Sequence, residues 1–146
     1  MIGQLLAAFI GTLAFSALFY VPREHALLCG VVGCAGWLIY CLSLLRFSAV
    51  IATLFSTLTI AILSRILAVL CREPANIILI PGLFPIIPGV GIYNTIFNLI
   101  NADLSAGIAY GLDTFRAVCM IVLGIVVIFS LPGKWFSRSM PYTLKL

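Results

Sequence analysis

The chain has 146 residues, of which 64% are hydrophobic and only 8% are charged, and its formal net charge is +4. A soluble domain carries roughly 25% charged residues, so this composition, with a mean hydropathy of +1.27, excludes a soluble protein. A bilayer core of about 30 Å takes roughly 20 apolar residues as one helix. The sequence therefore predicts one all-α integral membrane domain, residues 1–146, with about five transmembrane helices.

Five apolar runs follow one another along the chain. We place the spans at residues 2–20, 27–45, 47–70, 77–100 and 105–131, followed by a tail at 132–146. The first run has no Lys or Arg ahead of its apolar region, which indicates a retained span and not a cleaved signal peptide. The five cysteines lack metal-ligand spacing and mostly lie inside apolar runs, so we interpret them as packing residues. We expect no metal and no cofactor.

The distribution of basic residues predicts the orientation of the chain. In a five-span arrangement, one side carries Arg23, Arg65, Arg72, Lys134, Arg138 and Lys145. The other side carries Arg46 as its basic residue, so we expect the N-terminus outside and the C-terminus in the cytoplasm. Arg65 and Arg72 share a helical stripe from which they can reach lipid headgroups, and Trp135 and Phe136 are typical of an interfacial anchor. With the positive charge used in this way, no nucleic-acid partner is indicated.

The fourth span contains residues that normally interrupt a helix. Its stretch "NIILIPGLFPIIPGVGIYN", residues 76–94, is uncharged and contains three prolines and three glycines. A proline inside a helix lacks an N–H and displaces the carbonyl four residues earlier. Pro81, Pro85 and Pro88 are spaced to place their rings on one helical face, and they leave the carbonyls of Ile77, Pro81 and Phe84 without helical partners. Unpaired backbone in hydrocarbon is tolerated where it is buried in protein or lines a wet cavity.

These features predict a discontinuous helix in which Gly89 and Gly91 let the chain turn before the helix restarts. Unpaired carbonyls on one side of such a break can bind an ammonium group or cation, and N–H groups on the other can bind a carboxylate. The candidate substrate-binding residues are Pro81, Phe84, Pro85, Pro88, Gly89, Gly91, Tyr93, Asn94 and Asn98. The alternative is a kinked packing helix whose carbonyls are satisfied by neighbours, and the span could also be re-entrant instead of crossing.

The fifth span carries two ionisable residues and a pair of glycines. Asp113 and Arg116 are three residues apart, so they can form an ion pair on one helical face. Ionisable residues inside a membrane are candidates for ion or proton relays, and the alternative is a structural pair near the outer interface. Gly107 and Gly111 form a G-x-x-x-G motif that favours close helix packing, with either this chain or another as the partner.

Several stretches resemble the C-terminal half of the threonine/serine exporter family. These are "YVPRE", "REPANIILIPGLFPIIPGVGIYNTI", "NADLSAG", which contains Asp103, and "FSLPGKW". The most specific element is Pro85-x-x-Pro88-Gly89 followed by Tyr93. The chain most resembles the split form of the family, in which this half is a separate small membrane subunit.

The resemblance implies a secondary exporter of the bacterial inner membrane that moves small hydroxy amino acids or related small carboxylates. It also implies a larger membrane subunit of the same family as a partner, inserted in the opposite sense, while homo-oligomerisation stays open. Asp103, Asp113 and Arg116 are the candidate ion-coupling residues, although the latter two are not part of the family's pattern. The alternative to an exporter subunit is a non-transporting structural subunit of a larger complex. An intramembrane enzyme ranks last, because the sequence offers no catalytic cluster.

Overall fold

In a computed structural model of the chain, the structure describes residues 1–132. These residues form helices α1 (Ile2–Leu18), α2 (Arg23–Leu44), α3 (Ala49–Cys71), α4 (Asn76–Leu83), a 3-10 turn (Phe84–Ile86), α5 (Gly89–Ile100) and α6 (Leu104–Ser130). No strand occurs among them. The predicted anchor at Trp135 and Phe136 and the basic residues of the tail lie outside the described residues.

Within residues 1–132, three helices, α2, α3 and α6, are long and apolar enough to cross a membrane, and the bent pair α4–α5 supplies a fourth crossing if it acts as one span. The two halves of that pair are inclined by 51°. Helix α1, with 17 residues, lies at the short end of the range for a spanning helix. The fold is thus an all-α membrane protein of about five spans, and the break in the fourth confirms the predicted discontinuity.

Small residues bring the first three helices close together. Gly33 on α2 lies against Thr12 on α1, and Gly36 lies against Ile60 on α3, in both cases so closely that a Cβ atom would overlap the neighbour. The Ser56 hydroxyl also donates to the Gly36 carbonyl at 2.7 Å. Such contacts hold helices together by dispersion and interhelical hydrogen bonds in a membrane, where the lipid is as apolar as the side chains.

Helix α4 packs into the groove between α2 and α3. Gly82 approaches Val32 at 3.0 Å and Ile60 at 3.3 Å, measured from an added Cβ. Ile78 and Leu79 belong to the same buried core. At the end of this segment, Phe84 stacks on Phe15 of α1 with ring centroids 3.2 Å apart. The first half of the broken span is therefore anchored firmly in the helix bundle.

Helix α6 packs along α3, and Arg65 joins the two at one end. The Arg65 guanidinium donates to the carbonyls of Ile128 at 2.5 Å and Leu131 at 2.9 Å, and it lies 5.5 Å from the centre of the Phe129 ring. The positive charge therefore sits at the carbonyl end of α6, where the helix dipole favours a cation. Instead of reaching only toward headgroups, Arg65 caps a neighbouring helix.

Helices α5 and α6 form an antiparallel hairpin that rests on matched small and large residues. The facing pairs along the hairpin are Gly91 with Thr114, Thr95 with Gly111, and Leu99 with Gly107. The predicted G-x-x-x-G packing motif thus has its partner within this chain. Among the described elements, α5 packs against α6 alone, so the second half of the broken span leans away from the bundle that holds the first half.

Candidate functional site

The chain compensates for its prolines within the first half of the broken span. The Phe84 N–H donates to the carbonyl of Pro81, and the Ile87 N–H donates to that of Phe84 at 3.3 Å. The carbonyl of Ile77 receives the thiol of Cys29 at 3.8 Å. The three carbonyls that the proline spacing leaves unpaired therefore all have partners, because the backbone tightens into a 3-10 turn and α2 supplies a donor.

The unpaired backbone groups lie at the break itself. Ile87 is extended, and the Gly89 N–H turns back to the Ile87 carbonyl at 2.7 Å. In the described part of the chain, no main-chain hydrogen bond reaches the carbonyls of Pro85 and Ile86 or uses the N–H groups of Val90 and Gly91. The first turn of α5 also has no side-chain cap. Unpaired carbonyls thus lie before the break in the chain and unpaired N–H groups after it, and the carbonyls are not those of Ile77, Pro81 and Phe84 that the proline spacing indicated.

A cavity of about 940 Å³ lies between the break and the rest of the bundle. We call it the break cavity. It exists because α5 leans away by 51°, which leaves a gap between Phe84–Gly91 on one side and α2 and the start of α3 on the other. Its walls from the other helices are Trp37, Tyr40, Ser48, Ala49, Val50, Thr53, Asp113, Thr114, Arg116 and Ala117.

The walls of the break cavity combine apolar surface with a few polar groups. The indole Nε1 of Trp37 is buried and has no hydrogen-bond partner among residues 1–132. The hydroxyls of Thr53 and Thr114 donate to Ala49 at 2.8 Å and Tyr110 at 2.7 Å within their own helices, which leaves their oxygen lone pairs to accept. An apolar cavity with a small number of placed polar groups is typical of a small-molecule site.

Asp113 and Arg116 place the charge of the fifth span on this wall. Arg116 Nη1 donates to Asp113 Oδ1 at 3.0 Å, and the two side chains are 63% and 69% exposed. They are the charged side chains lining the break cavity in the described structure. Their exposure within the chain means that each charge can reach a molecule bound there.

The structure brings together seven of the predicted residues and separates five from them. Around the break cavity lie Phe84, Pro85, Pro88, Gly89, Gly91, Asp113 and Arg116. Pro81 is fully buried against the α1–α2 turn, beside a cleft of about 180 Å³, so the three proline rings do not share one face. Tyr93, Asn94 and Asn98 lie further along α5 and do not line the break cavity, and Tyr93 stacks on Phe97 with centroids 5.8 Å apart.

Asp103 lies in the turn between α5 and α6, at the far end of α5 from the break. Its carboxylate accepts hydrogen bonds from the Ala106 N–H at 3.1 Å and the Ser105 hydroxyl at 2.9 Å. These bonds to its charged form hold the pKa of Asp103 below its usual 3.8. In this structure Asp103 is the N-cap of α6, a helix-capping arrangement.

The structure explains the presence of Gly89 and Gly91 differently from the chain turn that the sequence suggested. No glycine in residues 1–132 has a positive φ, and the left-handed positions belong to Tyr20, Arg72 and Ala102. Position 91 needs a residue without a Cβ, because Thr114 of α6 lies where that Cβ would be. At Gly89 an added Cβ would meet nothing within 4 Å. Gly91 thus permits helix contact, and Gly89 leaves space in the cavity.

Residues 4–131 match the model of the family described as "Threonine/Serine exporter, ThrE". The chain belongs to the threonine/serine exporter family. This confirms the family that the sequence resembles, and with the apolar helices it makes the chain a multi-pass membrane protein of a family of exporters. No curated protein and no solved structure matches the chain.

Part of the cavity wall could not be predicted from the sequence. In the sequence, Trp37, Tyr40 and Thr53 look like ordinary residues of apolar spans. Thr114 is next to Asp113 and does not stand out as a separate candidate. An indole or hydroxyl in a predicted span marks a polar group at membrane depth. That signal alone does not say which of these groups would meet at the break.

Proposed function

We propose that this chain is the membrane subunit of a secondary exporter that holds threonine, serine or a related small carboxylate at the break in its fourth span. The observation that carries the proposal is the meeting of unpaired backbone groups and charged side chains around one cavity. The carbonyls of Pro85 and Ile86 and the N–H groups of Val90 and Gly91 lie there without partners from the described chain. The Asp113–Arg116 ion pair lines the same cavity.

The chemistry of these groups suits a small polar solute. The first turn of α5 offers N–H donors at the positive end of a helix dipole, a favourable position for a carboxylate. The carbonyls of Pro85 and Ile86 accept hydrogen bonds from an ammonium or hydroxyl group. Phe84, Ile87 and Val90 add apolar surface near these groups, and a lower local dielectric strengthens polar contacts.

The proposal includes a larger membrane subunit of the same family as the partner, in the bacterial inner membrane. The distribution of basic residues favours the N-terminus outside and the C-terminus in the cytoplasm, the sense expected for the second half of an inverted-repeat transporter. The surface of α5 turned away from α6 supports a partner as well. It has no contact within the described chain, and exposed side chains of α5 such as Tyr93, Ile96 and Phe97 are available to a second chain.

Gly89→Leu tests the proposed site with little disturbance of the fold. The backbone at Gly89 accepts a side chain without conflict, so the leucine enters the break cavity and takes the space of the solute. We expect threonine export by reconstituted complex to fall at least about tenfold, the equivalent of losing about 1.4 kcal/mol of binding. Transport of labelled threonine out of cells or vesicles measures this.

Gly89→Ala is the matched control, because a single methyl group occupies little of the cavity and should leave most of the transport rate. Both variants should retain wild-type expression, thermal midpoint and association with the partner. Normal export by the folded Gly89→Leu complex would contradict the proposed site. Normal export by the partner without this chain would instead favour a purely structural subunit.

A further inference from the structure

The Asp113–Arg116 ion pair is unusual because it lies in a membrane span and both of its side chains are exposed. One guanidinium nitrogen and one carboxylate oxygen are in contact at 3.0 Å, so the second oxygen and the remaining donors of the guanidinium keep unused capacity. Leu112 and Phe115 beside the pair are exposed apolar residues typical of a lipid-facing helix. The pair itself lines the break cavity, where water or a solute can reach it.

Backbone groups suited to an anion and backbone groups suited to a cation both lie near the ion pair. Gly91 lies directly against Thr114, which brings the first turn of α5, with its unpaired N–H groups, next to the helical turn that bears the pair. Pro85 and Ile86, whose carbonyls have no main-chain hydrogen bond in the described chain, line the other side of the same break. Donors for an anion and acceptors for a cation therefore both flank the two charged side chains.

We propose that Asp113 and Arg116 exchange their mutual contact for contacts with a zwitterion, and that Asp113 makes the site select amino acids over carboxylates that lack an ammonium group. This inference rests on the proposed function. Arg116 binds the carboxylate of the solute together with the N–H groups of Val90 and Gly91. Asp113 binds the ammonium group together with the carbonyls at the break.

The selectivity follows from what each solute leaves unpaired. A zwitterion replaces both halves of the ion pair, so no charge remains without a partner in the cavity. A hydroxy acid of the same shape occupies Arg116 but leaves Asp113 unpaired and close to a second negative charge. Two negative charges at close range repel each other, and a repulsive group of this kind is an effective way to reject a competitor.

Asp113→Asn tests this with a pair of closely matched solutes, threonine and 2,3-dihydroxybutyrate, in which a hydroxyl replaces the ammonium group. In wild type we expect threonine to bind more tightly by about tenfold or more, because dihydroxybutyrate leaves Asp113 unpaired beside a second negative charge. In Asp113→Asn the ratio should fall to about threefold or less, with weaker threonine binding and stronger dihydroxybutyrate binding. A merely structural residue would weaken both solutes together.

The fluorescence of Trp37 measures this binding without depending on transport. Trp37 lines the break cavity, and the chain has two tryptophans, so Trp135→Phe leaves Trp37 as the reporter in a complex whose partner subunit carries phenylalanine in place of its tryptophans. Glu73→Gln is the matched control, since it also converts a carboxylate to an amide but lies in the α3–α4 turn, away from the break cavity. Its solute ratio should equal that of wild type.

If Asp113→Asn does not fold, the double variant Asp113→Asn/Arg116→Gln removes both charges and leaves neither unpaired. The double variant should also lose the preference for threonine. An unchanged preference in either folded variant would overturn the inference, as would equal binding of both solutes by wild type. Both of these outcomes leave the proposed site intact. Wild type that binds neither solute would instead contradict the proposed function itself.

Discussion

Asp103 shows how one side chain orders the turn that joins the two helices of the α5–α6 hairpin. Its carboxylate accepts from the Ala106 N–H and the Ser105 hydroxyl, so the first turn of α6 has its cap. Because these bonds favour the charged form, the pKa of the folded state lies below the usual value. A carboxylate with a lowered pKa contributes stability above its unfolded pKa, and that contribution is lost as the pH falls through the folded pKa.

We therefore expect wild-type protein in detergent to lose thermal stability between pH 5 and a pH below the folded pKa of Asp103, and Asp103→Asn to lose less over the same interval. Asparagine keeps an acceptor oxygen for the cap but does not titrate. The other carboxylates are common to both proteins, so the difference between the two thermal midpoints isolates Asp103. Identical pH dependence in the two proteins would show that Asp103 does not contribute through its charge.

For single residues, the sequence indicated which groups lack a helical hydrogen bond or carry a charge, but not which residues they contact. The prolines of the fourth span indicated lost hydrogen bonds, yet the partner of the Ile77 carbonyl is Cys29, which lies 48 positions earlier. A thiol that satisfies a distant carbonyl depends on how α2 and α4 pack, and proline spacing does not encode that packing. Asp113 and Arg116 were predicted as a pair from their spacing, whereas their position on the break cavity depends on the lean of α5.

Among the helices, the closest contacts are made by glycines that face a branched side chain. Gly33 of α2 lies against Thr12 of α1, where an added Cβ would overlap the threonine hydroxyl. The Thr12 side chain is held in place by its bond to the Ala8 carbonyl at 2.7 Å. Neither group can move away easily, so this contact fixes the distance between the two helices.

Gly33→Ala should accordingly destabilise the α1–α2 pair by about 1–3 kcal/mol, the usual range for an overpacked contact. Gly11→Ala is the matched control, because an added Cβ there meets nothing within 4 Å, and it should be neutral or slightly stabilising. Thermal unfolding in detergent compares the two. Thr12→Ala added to Gly33→Ala should recover part of the loss, and equal midpoints for the two glycine variants would contradict the close contact.

The helices themselves were the most predictable part of the fold. Runs of about 20 apolar residues have few ways to satisfy their backbone in lipid, so composition alone predicted an all-α membrane protein of about five spans. The Gly107 and Gly111 motif predicted close packing but not its partner. That partner is α5, in which Thr95 and Leu99 face the two glycines, and the choice depends on the short turn at Asn101–Asp103.

Considered as a whole, the chain consists of a bundle of α1 to α4 and a hairpin of α5 and α6, which are connected at the break and packed together along α3 and α6. Helices α1 to α4 pack on one another, α6 packs on α3, and α5 contacts only α6 in the described structure. The break cavity lies between these two parts. Alternating access in a transporter requires one part to move against another around a fixed site, and a cavity at such a boundary is where the solute would sit.

Protection of an engineered cysteine tests most directly whether a solute binds in the break cavity. Val90→Cys, in a chain whose five native cysteines are replaced, places a thiol on the cavity wall, and Ile100→Cys at the other end of α5 is the control. We predict that a water-soluble maleimide labels Val90→Cys and that saturating threonine slows this labelling several-fold without affecting Ile100→Cys. Labelling of Val90→Cys that is unaffected by threonine, or no labelling at all, would contradict the account.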